Sequence, residues 1–101
     1  MLRCTVLYPN QDGAKFDFDY YLKTHIPMAN DILGGSFEVS KGLPGPDGKG
    51  PAFLCVATLK VASAADFAAR NKENGHRLGA DVPNYTNVEP IIQMEEILTA
   101  N

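Results

Sequence analysis

The spacing of apolar residues changes along the first third of the chain. From Leu2 to Tyr8 apolar side chains occupy every second position, and turn-forming residues follow at positions 9–13. This alternation predicts a β-strand that ends in a loop. From Phe18 the apolar residues fall at helical spacing, and Asp17 is a suitable N-cap for the helix that this spacing predicts.

The predicted first helix has two apolar stripes and an internal proline. We expect the following residues to be buried, those of the main stripe first: Phe18, Leu22, Ile26, Ala29 and Leu33, with Tyr21, His25, Met28 and Ile32 beside them. Tyr20 falls on the outer side, which places it at the surface or at an interface. Pro27 lacks a backbone donor and clashes with the preceding turn, so the helix should bend between His25 and Pro27. Gly34 should end it.

The second half of the chain repeats the strand and helix patterns. Positions 37–40 and 52–60 read as strands joined by a Gly- and Pro-rich loop at 42–51, and Val88–Leu98 reads as the last strand. Ser63 should cap a second helix that Pro83 stops. Its inner face is predicted to contain Phe67, Asn71, Gly75, Leu78 and Val82. The order of elements is therefore βαββαβ.

This order predicts a single α+β domain over residues 1–101. We expect a ferredoxin-like sandwich, in which a four-stranded antiparallel sheet carries both helices on one face. The strands at 52–60 and 88–98 are apolar on both of their sides, so the helix-free face should expose an apolar patch. Such a patch predicts a homodimer in which two sheets pack face to face.

Charge and composition narrow the classes of partner. A net charge of −3 and scattered basic residues argue against nucleic acid. No apolar run approaches the roughly 20 residues of a membrane span, and the first ten residues are too polar for a signal peptide, so we expect a cytoplasmic protein. Cys4 and Cys55 lie in strand-like runs without metal-ligand spacing, which predicts two buried free thiols.

His25 is the position with the most chemical information. It lies in the buried arc of the first helix, where a neutral imidazole needs a hydrogen-bond partner. Two interpretations are open. His25 is either a core histidine bonded to a carbonyl or tyrosine, or a polar anchor and general acid or base in an apolar pocket. His76, on the opposite side of its helix from the apolar residues, should be solvated.

Three tyrosines are candidates to bind a ligand beside His25. Tyr8 closes the first strand, Tyr21 shares the stripe of His25, and Tyr85 lies in a polar turn before the last strand. Tyr85 could instead meet a neighbouring chain, or belong to a plain connection. No residues have the spacing of a metal site, and no glycine-rich phosphate loop precedes a helix, so we expect no metal and no nucleotide cofactor.

Two segments resemble the motifs of a known family. Residues 16–27 fit the pattern F-D-x-x-Y-Y-x-x-x-H-x-P, and residues 81–93, which begin Asp-Val-Pro-Asn-Tyr-Thr-Asn, look like a second motif of the EthD family. The resemblance extends over nearly the whole chain. It implies a dimeric α+β barrel with a cleft between sheet and helices that contains His25, Tyr21 and Tyr85.

The resemblance leaves three hypotheses about function. The leading one is a cofactor-free protein that binds a small hydrophobic or aromatic metabolite, with acid/base chemistry of the dehydratase, decarboxylase or cyclase type centred on His25. The alternative is a non-catalytic accessory protein that supports a partner oxygenase such as a cytochrome P450 system. The third, from related barrels that hold haem, makes His25 an axial ligand.

Overall fold

The computed structural model describes residues 1–99. It contains strands β1 (Leu2–Pro9), β2 (Glu38–Lys41), β3 (Phe53–Val61) and β4 (Ile91–Glu96); α-helices α1 (Phe18–Tyr20), α2 (Ile26–Leu33), α3 (Ala64–Asn74) and α4 (His76–Asp81); a π-helical turn at Tyr21–His25 between α1 and α2; and a 3₁₀ turn at Val82–Asn84 after α4. The predicted order of strands and helices is confirmed. The last strand is shorter than predicted at both ends; at its start, Pro90 has no backbone donor for the ladder.

The four strands form one antiparallel sheet in the order β2-β3-β1-β4. Two helical segments cover one face of the sheet: the first comprises α1, the π-helical turn and α2, and the second comprises α3, α4 and the 3₁₀ turn. Together with the sheet they form the predicted α+β, ferredoxin-like fold. In the register, Cys4 lies opposite Leu59 and Tyr8 lies opposite Cys55. These four buried residues point to the helix-covered face, because side chains alternate across a strand. Both free cysteines are buried there, as predicted.

The helix ends follow from the capping residues. The Asp17 side chain accepts from the backbone N–H of Tyr20, and the Ser63 hydroxyl accepts from that of Asp66. Gly34 ends α2 in the left-handed conformation at φ 75°, which glycine adopts without a steric penalty. The predicted caps of both helical segments are therefore confirmed.

The first helical segment has a π-helical turn where a bend was expected. In this turn the N–H of Ile26 bonds to the carbonyl of Tyr21, five residues back, so each residue turns the chain by less than in an α-helix. The side chains before Pro27 are rotated accordingly. Leu22, predicted to be buried, is 51% exposed, and that prediction was wrong.

The second helical segment is not packed closely against the sheet. Neither α3 nor α4 contains a buried residue, although Phe67, Asn71 and Leu78 face inward as predicted. The space between these helices and strands β1 and β4 forms a cavity. None of the helices formed by residues 1–99 is both long and apolar enough to cross a membrane.

The helix-free face of the sheet is apolar at one end and polar at the other. Leu7 pairs with Val56 and Ile91, so the three share this face, and Ile91 is 52% exposed. At the other end Arg3 donates to Glu95 over 2.8 Å. Hydrogen bonds from Thr5, Arg3 and Gln93 hold the pKa of Glu95 down at about 2. The predicted apolar surface is thus confined to one half of the face.

Candidate functional site

A cavity of about 230 Å³ lies between the second helical segment and the sheet. Its walls are mostly apolar and come from strands β1 and β4 and from all the longer helices. A few polar side chains reach it: Tyr8, Tyr21, His25, Asn71 and Tyr85. An apolar cavity with a small number of convergent polar groups is the usual form of a small-molecule site.

His25 is fixed by a carboxylate at the end of α4. Its Nδ1 atom lies 2.9 Å from Oδ2 of Asp81, and the His25 and Asp81 side chains are 7% and 12% exposed. The other Asp81 oxygen accepts hydrogen bonds from the Tyr20 hydroxyl at 2.6 Å and from the Asn84 amide at 2.9 Å. Tyr20, expected on the outer side, is therefore turned toward Asp81, because the π-helical turn begins directly after it.

This pairing decides which imidazole nitrogen carries the proton. Asp81 is an acceptor, so the Nδ1–H of neutral His25 donates to it and Nε2 retains its lone pair. Burial lowers the pKa of His25 below its ordinary value of 6.5, and the Asp81 carboxylate offsets this only in part. Burial alone would raise the pKa of Asp81, but hydrogen bonds from Tyr20, Asn84 and His25 lower it overall. At neutral pH the site holds a neutral base beside a carboxylate.

Two tyrosines extend this chain of hydrogen bonds from His25. The Tyr85 hydroxyl lies 3.5 Å from His25 Nε2 and 2.7 Å from the Tyr8 hydroxyl. Burial raises the pKa of both tyrosines well above the ordinary value of 10.0, so each hydroxyl stays protonated and can donate. The Tyr21 ring stacks on the imidazole of His25 with ring centroids 5.2 Å apart. Burial also raises the pKa of the Tyr21 hydroxyl.

Backbone contacts between distant segments position Tyr85. Its carbonyl accepts from the N–H of Asp17 at 2.8 Å, which ties the turn after α4 to the start of α1. The next residue, Thr86, donates its hydroxyl to the carbonyl of Lys15 at 2.6 Å. The Tyr85 ring is thereby held 4.6 Å, between centroids, from the imidazole of His25.

The structure brings all four sequence-predicted site residues to one cavity. Tyr8, Tyr21, His25 and Tyr85 line it together, and their roles in binding or catalysis stay predictions. His76 is exposed, as expected. Sequence reasoning missed Asp81, although it begins the second motif. The available signal was the need of a buried histidine for an acceptor, which a carboxylate at a helix end could meet.

Larger cofactors and metals have little support in this geometry. Within residues 1–99 no group of three His, Cys, Asp or Glu side chains could hold a metal ion. The lining that these residues give the cavity of about 230 Å³ contains no Lys or Arg side chain to meet the propionates of haem, which disfavours the haem hypothesis.

The fold and site define a class of small α+β proteins with a buried His–Asp pair in an apolar cavity. An EthD-like protein from Ralstonia eutropha shares 34% sequence identity with the chain; the alignment covers 99% of this chain and 94% of that one, with a TM-score of 0.92. The chain belongs to the EthD-like proteins.

More distant solved structures share the fold. An ethyl tert-butyl ether D (EthD) family protein from Bacillus halodurans is 19% identical over 96% of this chain and 99% of its own, with a TM-score of 0.62. A protein from Arabidopsis thaliana is 11% identical over 100% of this chain and 99% of its own, with a TM-score of 0.70. No protein-family model and no curated protein matches the sequence significantly.

Proposed function

We propose that the protein binds a small hydrophobic or aromatic metabolite with an oxygen function and carries out cofactor-free acid/base chemistry on it. The observation that carries this proposal is that His25 lines an apolar cavity while Asp81 holds its Nδ1, which leaves the lone pair on Nε2. A core histidine needs a partner for stability, but it does not need to line a cavity. The functional interpretation of His25 is therefore favoured.

The size of the cavity limits the part of the ligand that meets His25. A cavity of about 150 Å³ is known to hold benzene, and about 230 Å³ leaves room for one substituted ring. The apolar walls favour an uncharged ring. A hydroxyl or carbonyl on it could reach both His25 and Tyr85, which lie 3.5 Å apart at their polar atoms.

The arrangement supports proton transfer as the chemical step. His25 Nε2 takes a proton from the ligand, either from a hydroxyl or from a carbon next to a carbonyl, and the imidazolium that forms is stabilised by Asp81. The Tyr85 hydroxyl donates to the ligand oxygen on which negative charge develops. His25 then returns the proton: in a dehydration to the leaving hydroxyl, which departs as water; in a decarboxylation to the carbon that has lost CO₂; and in a ring closure to the alkoxide that forms.

We propose further that the protein is a homodimer and acts in the cytoplasm. The apolar half of the helix-free face, formed by Leu7, Leu54, Val56 and Ile91, suits a second copy of the sheet. Two buried free thiols suit a reducing compartment. Sedimentation equilibrium tests the dimer, and Ile91→Glu should shift it toward monomer. A monomeric wild-type protein at micromolar concentration contradicts the dimer.

Ligand binding and turnover are tested separately. A panel of single-ring phenols and their methyl ethers is titrated calorimetrically into the wild type, His25→Gln and the surface control His76→Gln. We expect the phenols to bind the wild type and His76→Gln alike, and to bind His25→Gln about tenfold more weakly, because a buried hydrogen bond is lost. Equal binding to His25→Gln would contradict the role of His25.

The accessory hypothesis differs from the enzymatic one in a single result. Both predict binding in the cavity, but an accessory protein releases each ligand unchanged. Incubating bound hydroxylated ring compounds in D₂O and following exchange at carbons next to the oxygen function by NMR distinguishes the two. Exchange that depends on His25 supports proton transfer, and binding without any exchange supports the accessory role.

A further inference from the structure

Gly79 occupies a position where neither conformation nor packing requires glycine. It lies inside α4, where glycine destabilises a helix relative to alanine. Its φ angle is not positive, in contrast to Gly13, Gly34 and Gly48. Apart from its chain neighbours and the backbone of its own helix, a Cβ atom built at Gly79 would meet no atom within 4 Å. The fold itself therefore does not require glycine at position 79.

Gly75, one turn earlier, shows the contrast. A Cβ atom at Gly75 would collide with the side chain and carbonyl of Asn71, so close packing accounts for that glycine. Both glycines lie on the inner face of the helical segment with Leu78 and Val82, and all four line the cavity. At Gly79 the same face meets open space.

Two hollows adjoin at Gly79. The inner cavity of about 230 Å³ contains His25, and an outer groove of about 450 Å³ is lined by Thr86, Asn87 and Glu89 among others. Gly79, Val82 and Pro90 line both hollows, so the two adjoin at these residues. Of the three, only Gly79 has no side chain to narrow the passage.

We propose that Gly79 is a specificity-determining residue that keeps a passage open between the cavity and the outer groove. This inference rests on the proposed function and deepens it. The protein then accepts elongated ligands, with one ring in the cavity beside His25 and a second ring or chain in the groove. Glu89 in the groove disfavours an anionic tail, and the apolar walls of the cavity favour an uncharged ring beside His25.

Two probes separate the cavity from the passage. 4-Methylphenol fits within the cavity, whereas 4-benzylphenol needs the passage for its second ring. Both are titrated into the wild type, Gly79→Ala, Gly79→Leu and the control Ala80→Leu, which adds a side chain at the next, exposed position of the same helix. Circular dichroism and thermal unfolding check each fold, and Gly79→Ala should unfold at a higher temperature than the wild type.

We expect Gly79→Leu to bind 4-methylphenol within about threefold of the wild type and 4-benzylphenol at least about tenfold more weakly. Gly79→Ala, which keeps the helix intact even where leucine perturbs it, should show the same selectivity to a smaller degree. Ala80→Leu should bind both probes as the wild type does.

Three results would overturn the inference. Unchanged binding of 4-benzylphenol to Gly79→Leu and Gly79→Ala contradicts the passage and leaves the proposed function intact. Equal weakening of both probes in folded Gly79→Leu and Gly79→Ala shows that a side chain there fills the cavity itself. A wild type that binds neither probe contradicts the proposed function together with the passage.

Discussion

His25 Nδ1 and Asp81 Oδ2 lie 2.9 Å apart, although the two residues are 56 positions apart in the sequence. The contact joins the π-helical turn of the first helical segment to the end of α4. With the hydrogen bond from the Tyr20 hydroxyl to the other Asp81 oxygen, it is one of two polar links between the first helical segment and α4, which forms a wall of the cavity. The protonation and orientation of His25 therefore depend on the position of the second helical segment.

Replacing Asp81 by asparagine should change the tautomer of His25. Asparagine offers an amide donor as well as an acceptor, so Nδ1 can become the acceptor and Nε2–H the donor. We expect the wild type to show the Nδ1–H tautomer and Asp81→Asn to show a mixture of both tautomers. ¹⁵N NMR of the imidazole nitrogens measures the two populations. Phenol binding to Asp81→Asn should weaken by about tenfold, because the acceptor in the cavity is partly lost.

Asn84→Ala is the matched control for this change. It removes one of the hydrogen bonds to Asp81 but leaves the carboxylate facing His25. We expect the Nδ1–H tautomer to persist in Asn84→Ala, with at most a small loss of binding. An unchanged tautomer in Asp81→Asn would mean that Asp81 does not orient the ring.

The sequence predicted the fold well, because local signals determine it. Alternation in β1, the caps at Asp17 and Ser63, and Gly34 each act over a few residues, and the structure contains all of them. The order of elements then leaves few topologies. The ferredoxin-like sheet follows without any knowledge of long-range contacts.

The site was predicted less completely, for reasons of geometry. Pro27 indicates that the helix is disturbed. A bend and a π-helical turn, however, place the side chains before Pro27 on different sides of the helix. That rotation exposes Leu22 and turns Tyr20 toward Asp81. Asp81 itself is placed by tertiary contacts, so its pairing with His25 has no local pattern in the sequence.

Acid should destabilise the protein through His25. The pKa of His25 in the folded state lies below 6.5, the ordinary value that it has in the unfolded chain. Between these two pKa values the unfolded chain binds more protons than the folded one. The free energy of unfolding should therefore rise with pH up to about 6.5 and lose this dependence above it, with a slope of at most about 1.4 kcal/mol per pH unit. Urea unfolding at a series of pH values measures it.

Two variants isolate the contribution of His25 to this profile. His25→Gln removes this titrating group and should flatten the slope between about pH 5 and 6.5, above the range in which Asp81 and Glu95 titrate, because the pKa of each carboxyl is lowered. His76→Gln removes an exposed histidine and should follow the wild type. If the wild type instead becomes less stable as pH rises through this range, Asp81 holds His25 in its charged form and the pKa of His25 is raised rather than lowered.

The two thiols should be unreactive in the native protein. Burial raises the pKa of Cys55 from 9.0 to about 12, which reduces its reactive thiolate about a thousandfold. Burial, followed by the charge of Glu95, also raises the pKa of Cys4. We expect almost no reaction with Ellman's reagent until urea unfolds the chain, when both thiols should react. Fast labelling of the native protein, assigned with Cys4→Ala, would contradict this.

The hydroxyls of Tyr8 and Tyr85 should stabilise the fold as a pair. They lie 2.7 Å apart, and the residues are 2% and 3% exposed. Tyr85→Phe leaves the Tyr8 hydroxyl buried without this partner, and Tyr8→Phe does the converse, so each should lower the free energy of unfolding by about 1–3 kcal/mol. The double variant should lose less than the sum of the two, with a coupling of about 1 kcal/mol.

A distant substitution provides the reference for that coupling. Ser63→Ala removes the N-cap of α3, and combined with Tyr8→Phe it should give additive losses within about 0.5 kcal/mol. Urea unfolding of the six proteins completes both cycles. Additive losses for Tyr8 and Tyr85 would mean that their hydroxyls do not act on each other. His25 Nε2, 3.5 Å from the Tyr85 hydroxyl, would then be the acceptor that matters to Tyr85, and Tyr85→Phe alone should shift the pKa of His25.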